Sequence, residues 1–89
     1  MKVLHTDKAP AAVGPYSQAI EVNGFVFCSG QLPIDPATGV FAEGGVKEQT
    51  RQSILNAQEV LRSAGLELSN VAKTTVYLSD MDNFAAMNE

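Results

Sequence analysis

The chain has 89 residues, of which 45% are hydrophobic, and this length suffices for one small domain, residues 1–89, with a modest core. Its formal net charge of −4, from 10 acidic and 6 basic residues, provides no cationic surface for nucleic-acid phosphates. The single cysteine excludes an internal disulfide framework and, with no long apolar segment or secretory signal, predicts a cytoplasmic protein.

The first predicted elements are a short strand and a β-hairpin. The strand runs through Val3 and Leu4, and an irregular, proline-marked approach over residues 9–17 leads into the hairpin. Asn23 and Gly24 lie between two runs of β-forming residues. Both central positions of a two-residue hairpin turn require a positive φ. Asn and Gly adopt a positive φ more readily than other residues, so this pair favours such a turn.

Counting outward from this turn predicts which residues face each other across the hairpin. One face is wholly apolar and is expected to be buried, whereas the other face is mixed. Polar groups meet at the open end, which makes it a plausible place for a small polar pocket. The apolar face holds Ile20, Val22, Phe25 and Phe27, the mixed face holds Ala19, Glu21, Val26 and Cys28, and the open end pairs Gln18 with Ser29, Ser17 with Gly30 and Tyr16 with Gln31.

Residues 46–64 repeat apolar side chains at steps of three and four, which predicts an amphipathic helix. The preceding loop, residues 32–45, contains turn-forming residues around Asp35. Gly65 is expected to end the helix as a C-terminal cap. The stripe expected to face the core is Val46, Thr50, Ile54, Ala57, Leu61 and Ala64.

The remaining residues predict a strand and the start of a second helix. Residues 71–78, VAKTTVYL, are rich in β-branched side chains, so the first helix would form a right-handed crossover between parallel strands. Asp80 or Asp82 then caps a helix that includes Phe84. The residues left are fewer than the roughly 11 of an average helix. We therefore expect the sequence to stop within this helix, as a piece of a longer domain.

The reactive side chains offer no familiar catalytic pairing. Cys28 as a nucleophile needs a base, and the single histidine, His5, has no spacing that relates it to the cysteine. A lone cysteine in a β-run is usually a small buried hydrophobe. Ser29 lacks the flanking glycines of a nucleophile elbow, and no ligand cluster predicts a metal site. Tyr16 can pack its ring and still donate its hydroxyl, but the residues alone leave a pocket and a structural role equally open.

Five segments taken together resemble one known family. GPYSQAI, SGQLPIDPATG, QTRQSILNAQEVLRSAG, VAKTTVYLSDM and FAAMNE occur in the order and spacing of the RidA family, also called YjgF/YER057c/UK114. The resemblance implies an α+β, chorismate-mutase-like fold, seen here as a β-hairpin followed by helix, strand and a second helix within which the chain stops. It also implies a homotrimer with ligand clefts between subunits. The implied activity is cofactor-free hydrolysis of reactive 2-imino acids, or their enamine tautomers, to 2-oxo acids and ammonia.

The same resemblance assigns candidate site residues. Tyr16 matches the family's cleft tyrosine and is the implied catalytic residue, while Ser29, Gly30 and Asn88 match substrate-binding positions. Family members also carry an arginine that grips the substrate carboxylate and a glutamate that positions water, and the sequence ends before both. The resemblance therefore implies that these 89 residues hold one part of the site, with the C-terminal third absent.

Two alternatives to a 2-imino acid deaminase stay open. Members of the family have also been described as ribonucleases, translation inhibitors or chaperone-like proteins, which suggests a protein- or RNA-interaction module. The acidic charge argues against direct RNA binding. The missing arginine and glutamate favour the other alternative, an inactive fragment.

Overall fold

The computed structural model describes residues 1–89 as a three-stranded antiparallel sheet with two helices, an α+β arrangement. The strands pair in chain order, so β2 lies at the centre of the sheet. Neither helix combines the length and the hydropathy that crossing a bilayer requires. The elements are β1 (Lys2–Leu4), β2 (Ala19–Val22), β3 (Phe25–Cys28), α1 (Val46–Arg62) and α2 (Phe84–Asn88), with 3-10 turns at Leu68–Asn70 and Met81–Asn83.

The hairpin turn has the backbone geometry that its sequence demands. Asn23 has a φ of 51° and Gly24 a φ of 81°, the two positive values of a primed turn. Val22 consequently pairs with Phe25, and the register continues outward as predicted, ending with Ala19 opposite Cys28. The first strand is also confirmed and pairs antiparallel with β2.

Helix α1 covers the mixed face of the sheet, and not the apolar one. The buried cluster joins Leu4, Ala9 and Ala19 to Val60 of α1, with Val26 packed against it. Small side chains on this face let the helix approach closely. The prediction that the apolar face is buried is therefore wrong for the single chain, since Phe25 is 68% and Phe27 59% exposed.

The buried stripe of α1 is also rotated from the predicted one. Of the predicted stripe, Leu61 is buried and Ala64 packs against the core cluster, but Ile54 is 47% exposed. Asn56 and Val60, outside the predicted stripe, are buried in its place. The apolar pattern missed this because Asn56 is polar. Its amide can lie in the core because all its polar atoms have hydrogen-bond partners.

Both ends of α1 are closed by local hydrogen bonds. At the start, the Glu48 carboxylate accepts from the backbone N–H of Gly45 at 2.9 Å. At the end, Gly65 has a φ of 76°, and the N–H of Leu66 donates to the carbonyl of Leu61 at 3.0 Å. This is the C-terminal motif expected of a glycine just beyond a helix, so the predicted cap is confirmed.

Residues 71–78 do not form the predicted strand, and no parallel crossover is present. Their β-branched side chains favour an extended backbone, but a strand also needs a neighbour to share its hydrogen bonds. The second helix does follow, and the Asp80 carboxylate accepts from the N–H of Asp82 at 2.9 Å in the turn that leads into it. The predicted aspartate cap is thus found on the 3-10 turn, whereas α2 itself has Asn83 at its N-cap and no side-chain cap, so the prediction that an aspartate caps the helix is wrong.

The two candidate buried stripes of α1 make different predictions for stability. Val60→Ala should lower the free energy of unfolding by about 1–3 kcal/mol, because it empties a fully buried site. Ile54→Ala, on the exposed side, should change it by less than about 0.5 kcal/mol. Urea unfolding followed by circular dichroism measures both. Equal losses would contradict the observed orientation of the helix.

Candidate functional site

The open end of the hairpin brings two serines together. Beyond the last strand pair, the N–H of Ser29 donates to the carbonyl of Gln18 at 3.0 Å, which confirms the predicted pairing of these two residues. The Ser29 hydroxyl donates to the carbonyl of Ser17. This contact leaves the hydroxyl's lone pairs free to accept a hydrogen bond, but commits its proton to the backbone.

The predicted pairing stops at this point. No hydrogen bond joins Ser17 to Gly30 or Tyr16 to Gln31; instead the N–H of Tyr16 donates to the carbonyl of Gly14 at 2.9 Å. The Gln31 amide turns back to the carbonyl of Ser29, at 3.4 Å. The backbone pairing of β2 with β3 therefore ends at Gln18 and Ser29, and the residues before Gln18 and after Ser29 leave the sheet.

A shallow depression of about 270 Å³ lies at this end of the hairpin. Tyr16 and Gly30 adjoin its two serines in sequence without lining it. The Tyr16 side chain is half exposed, and Gly30 is exposed with its N–H unpaired within the chain. Polar groups thus line one end of the sheet, and the exposed residues Tyr16 and Gly30 directly adjoin them in sequence. The lining residues are Ser17, Ala19, Ile20, Phe27, Cys28 and Ser29.

Gln18 does not contribute its side chain to the depression. The side chain is buried and accepts from the N–H of Thr6 at 2.8 Å through its oxygen. Its nitrogen donates to the carbonyls of Thr6 at 3.1 Å and Pro10 at 2.8 Å. Gln18 therefore ties the start of the irregular approach to β2, a structural role that the sequence pattern did not indicate.

Asn56, on α1, is a second buried amide that anchors a loop. From α1 its amide nitrogen donates to the carbonyls of Leu32 at 3.1 Å and Ile34 at 2.8 Å, and its oxygen accepts from Gln52 at 2.9 Å. It thus anchors the loop that follows Ser29 and Gly30. Asn56 lies four residues before Val60 and therefore on the same face of the helix, and this spacing was the signal that could have placed its amide against the sheet.

Asn88 lies in the helix layer. The short helix α2 packs against α1, and the Lys47 ammonium holds the Glu89 carboxylate at 2.8 Å. Asn88 does not line the depression, and its side chain makes no hydrogen bond within the chain. The structure therefore brings Ser29 to Ser17, the neighbour of Tyr16 in sequence, and leaves Asn88 on another element.

Cys28 lies on the rim of the depression and is exposed, so the expectation of a buried cysteine is wrong. Enough protein nevertheless surrounds the sulfur that desolvation raises the pKa of its thiol. His5 holds Asp7 at 3.0 Å and does not pair with the cysteine. A thiol with a raised pKa and no base is a poor nucleophile, so Cys28 is a weak candidate for a nucleophilic role.

The helix arginines lie away from the open end of the hairpin, which we call the hairpin mouth. Arg62 pairs with Glu59 and Glu67, each at 3.3 Å. Arg51 and Lys47 border a separate surface depression of about 360 Å³ along α1. Neither arginine reaches the two serines, which agrees with the absence of a matching role for either in the family resemblance.

The sheet, the helix laid across its mixed face and the polar hairpin mouth define a RidA-type α+β protein. The family model described as Endoribonuclease L-PSP matches residues 6–89. The chain belongs to this family, the one that the sequence resemblance identified as RidA or YjgF/YER057c/UK114.

Three similar proteins illustrate the relationship. A RutC family protein of Pyrococcus abyssi is 52% identical over 99% of this chain and 69% of its own length. The 2-iminobutanoate/2-iminopropanoate deaminase of Mus musculus is 49% identical over 99% of this chain and 65% of its own length. The structure of E. coli TdcF with bound serine superposes with a TM-score of 0.94 at 38% identity, covering 99% of this chain and 68% of TdcF. The chain thus spans about two thirds of the length of these relatives.

The raised pKa of Cys28 can be tested by alkylation. Iodoacetamide reacts with the thiolate, so the native chain should reach its half-maximal alkylation rate at a higher pH than the chain unfolded in concentrated urea. At a fixed pH near 8 the native thiol should also react more slowly. A native midpoint at or below that of the unfolded chain would show that desolvation does not control this sulfur.

Proposed function

We propose that the hairpin mouth is one wall of a site that hydrolyses 2-imino acids, or their enamine tautomers, to 2-oxo acids and ammonia. The observation that carries the proposal is the 49% identity, over almost the whole chain, with a mouse protein named as a 2-iminobutanoate/2-iminopropanoate deaminase. E. coli TdcF, whose structure has been solved with bound serine, adds chemical support. Serine and a 2-imino acid both present a carboxylate next to a carbon that bears nitrogen.

The reaction asks little covalent chemistry of the protein. The carbon of a protonated imine is already electrophilic, so water adds directly and the C=N π electrons move to nitrogen. A proton then moves from the added oxygen to the nitrogen, and the carbinolamine expels ammonia as the remaining hydroxyl proton is lost and the C=O bond of the 2-oxo acid forms. The protein has to hold the carboxylate, orient the water and move protons, which positioning and acid–base groups can do without a cofactor.

Each residue at the hairpin mouth suits one of these tasks. The half-exposed phenol of Tyr16 can both donate and accept a proton or a hydrogen bond. The unpaired N–H of Gly30 suits a carboxylate oxygen, and the Ser29 oxygen can accept from substrate or water. Asn88, whose side-chain amide makes no hydrogen bond within the chain, completes the candidate set if α2 borders the same cleft. The family resemblance adds an arginine and a glutamate from outside these residues.

We also propose that this site lies in a cleft between the subunits of a homotrimer. Only seven of the 89 residues are buried in the single chain. The uncovered sheet face carries Val3, 61% exposed, on β1 and, on the far side of β2, Phe25 and Phe27, whose rings lie 6.4 Å apart. A contiguous apolar face of this kind is typical of a subunit interface and adjoins the depression at Phe27.

The apolar face can be tested by charge. Phe25→Asp should shift the chain from a trimer to a monomer, because burying an unpaired carboxylate at an interface is strongly unfavourable. Val13→Asp, at a residue 86% exposed and outside the sheet, is the control and should leave assembly unchanged. Size-exclusion chromatography with light scattering gives the masses. Trimers of the Phe25→Asp chain, or a monomeric parent chain, would contradict the proposed interface.

An RNA-directed role is the second candidate, because the matching family model is described as an endoribonuclease. The composition does not support it, since ten acidic residues outnumber six basic ones. Two of the basic side chains, Lys47 and Arg62, are also engaged by carboxylates. A phosphate backbone would find few free cations on this surface.

The two tyrosines provide a matched test of the deaminase proposal. Ammonia release from 2-iminobutanoate is measured with the 89-residue chain and with a longer form continued by the unmatched third of the mouse deaminase. Tyr16→Phe should lower the rate of the longer form by about tenfold or more, since proton transfer from a positioned group contributes at least this much. Tyr77→Phe, at a side chain 91% exposed, should leave it unchanged.

Two outcomes would overturn this proposal. The first is a longer form that releases ammonia no faster than buffer. The second is equal loss in the two tyrosine variants. Cleavage of a labelled RNA at a rate unaffected by Tyr16→Phe would favour the RNA-directed alternative instead.

A further inference from the structure

The segment that carries Tyr16 has little packing of its own. Residues 11–16 are exposed or half-buried, with Val13 86% and Tyr16 50% exposed. One hydrogen bond lies within the segment, from the N–H of Tyr16 to the carbonyl of Gly14 at 2.9 Å. An exposed stretch with so few contacts moves on the nanosecond to microsecond timescale unless its ends are held.

The side chain of Gln18 supplies the contact at the start of this segment. Its oxygen accepts from the N–H of Thr6 at 2.8 Å, and its nitrogen donates to the carbonyl of Thr6 at 3.1 Å. The side-chain amide therefore pairs with Thr6 as a peptide group of β2 would, just beyond the last backbone pair, Leu4 with Ala19. The second amide hydrogen is donated to the carbonyl of Pro10 at 2.8 Å.

No other polar contact fixes the chain at Pro10. Gln18 is 3% exposed, and both hydrogens of its amide are engaged by main-chain carbonyls. Ala9, next to Pro10, contributes only a methyl group to the core cluster. The hydrogen bond from Gln18 to Pro10 therefore determines where the exposed segment begins relative to β2.

We propose that Gln18 is a positioning residue of the candidate site and that it acts by holding the Tyr16 phenol in place. Its effect on rate rests on the proposed deaminase function, whereas its hold on the ring is a property of the 89 residues themselves. Gln18 does not line the depression, so its contribution to the reaction passes through Tyr16. A displacement of about 1 Å in a reacting group can lower a rate by about a hundredfold.

Tyrosine fluorescence tests the hold on the ring in the chain as it stands. The chain has two tyrosines and no tryptophan, so Tyr16 alone emits strongly in a Tyr77→Phe background. Gln18→Met keeps the length of the side chain and removes all three of its hydrogen bonds. The slow component of the anisotropy decay, which follows the tumbling of the whole chain, should then be largely lost to a nanosecond component.

Two controls separate positioning from a loss of stability. Gln58→Met is the same change at a half-buried glutamine whose side chain makes no hydrogen bond, and it should leave the anisotropy decay unchanged. Asn56→Ala removes the other buried amide, which holds the loop beyond Ser29. It should lower the free energy of unfolding without freeing the Tyr16 ring. Circular dichroism of α1 identifies the variants that retain the fold.

Gln18→Glu isolates the contact with Pro10. Its carboxylate can still accept from the N–H of Thr6 but has no hydrogen to donate to either carbonyl. It should free Tyr16 as Gln18→Met does, and it provides a second variant where the methionine prevents folding.

The rate of ammonia release from the longer form tests the catalytic consequence. Gln18→Met should lower kcat by about tenfold or more and change KM less, since the phenol that it displaces is proposed to move protons. In a Tyr16→Phe background the same change should have little further effect, because no phenol remains to be positioned. A purely structural role would lower the rate by the same factor in both backgrounds.

The proposal fails on any of three results. The first is a Tyr16 anisotropy decay that folded Gln18→Met and Gln18→Glu chains leave unchanged. The second is an equal gain of ring mobility in the Gln58→Met or Asn56→Ala chain. The third is a loss of rate that adds fully to the loss in Tyr16→Phe. A longer parent form that releases no ammonia would remove the proposed function, while the fluorescence still decides whether Gln18 holds the ring, so the two failures are distinct.

Discussion

The Asn23-Gly24 turn is the constraint on which the rest of the structure depends. Two successive residues with positive φ reverse the chain in the smallest possible space and fix the register of β2 against β3. That register decides which side chains share a face. It also decides that Ser29 meets Gln18 and Ser17 at the far end. A slip of one residue would exchange the two faces and separate the polar groups.

The two faces of the sheet carry side chains of different size, and only one of them is covered by α1. Ala19 and Leu4 present a surface on which α1 can lie with Val60 fully buried, and this is the main packing of the chain on itself. The opposite face holds the aromatic pair Phe25 and Phe27 and is left open because the one long helix lies on the other side. The small core and the large open face are therefore two results of one arrangement.

Local signals allowed the hairpin, the extent of α1 and its glycine cap to be predicted from the sequence. Each of these depends on a few neighbouring residues, so periodicity and turn chemistry suffice. The contact of Ser29 with its opposite strand followed from the same register. The family membership could also be read from five short segments.

Tertiary contacts account for what could not be predicted. Asn56 lies in the core because two loop carbonyls meet its amide, and no rule of helical periodicity foresees those partners. Gln18 is buried for a similar reason. Residues 71–78 have the composition of a strand but lack a partner, and pairing is a property of two segments. The position of Asn88 depends on how α2 packs, which its own sequence does not specify.

The anchoring by Gln18 has a consequence for how the tyrosine is presented. Residues 11–16 span two fixed points, the carbonyl of Pro10 held by the Gln18 amide and the carbonyl of Ser17 held by the Ser29 hydroxyl. The aromatic ring is therefore carried on a short bridge with both ends tethered, and not on a free arm. Changing the number of residues in that bridge would retune the reach of Tyr16 with little effect on the fold, because loop closure depends only weakly on length. The position of Tyr16 is thus set by the two hydrogen bonds that hold the ends of this bridge.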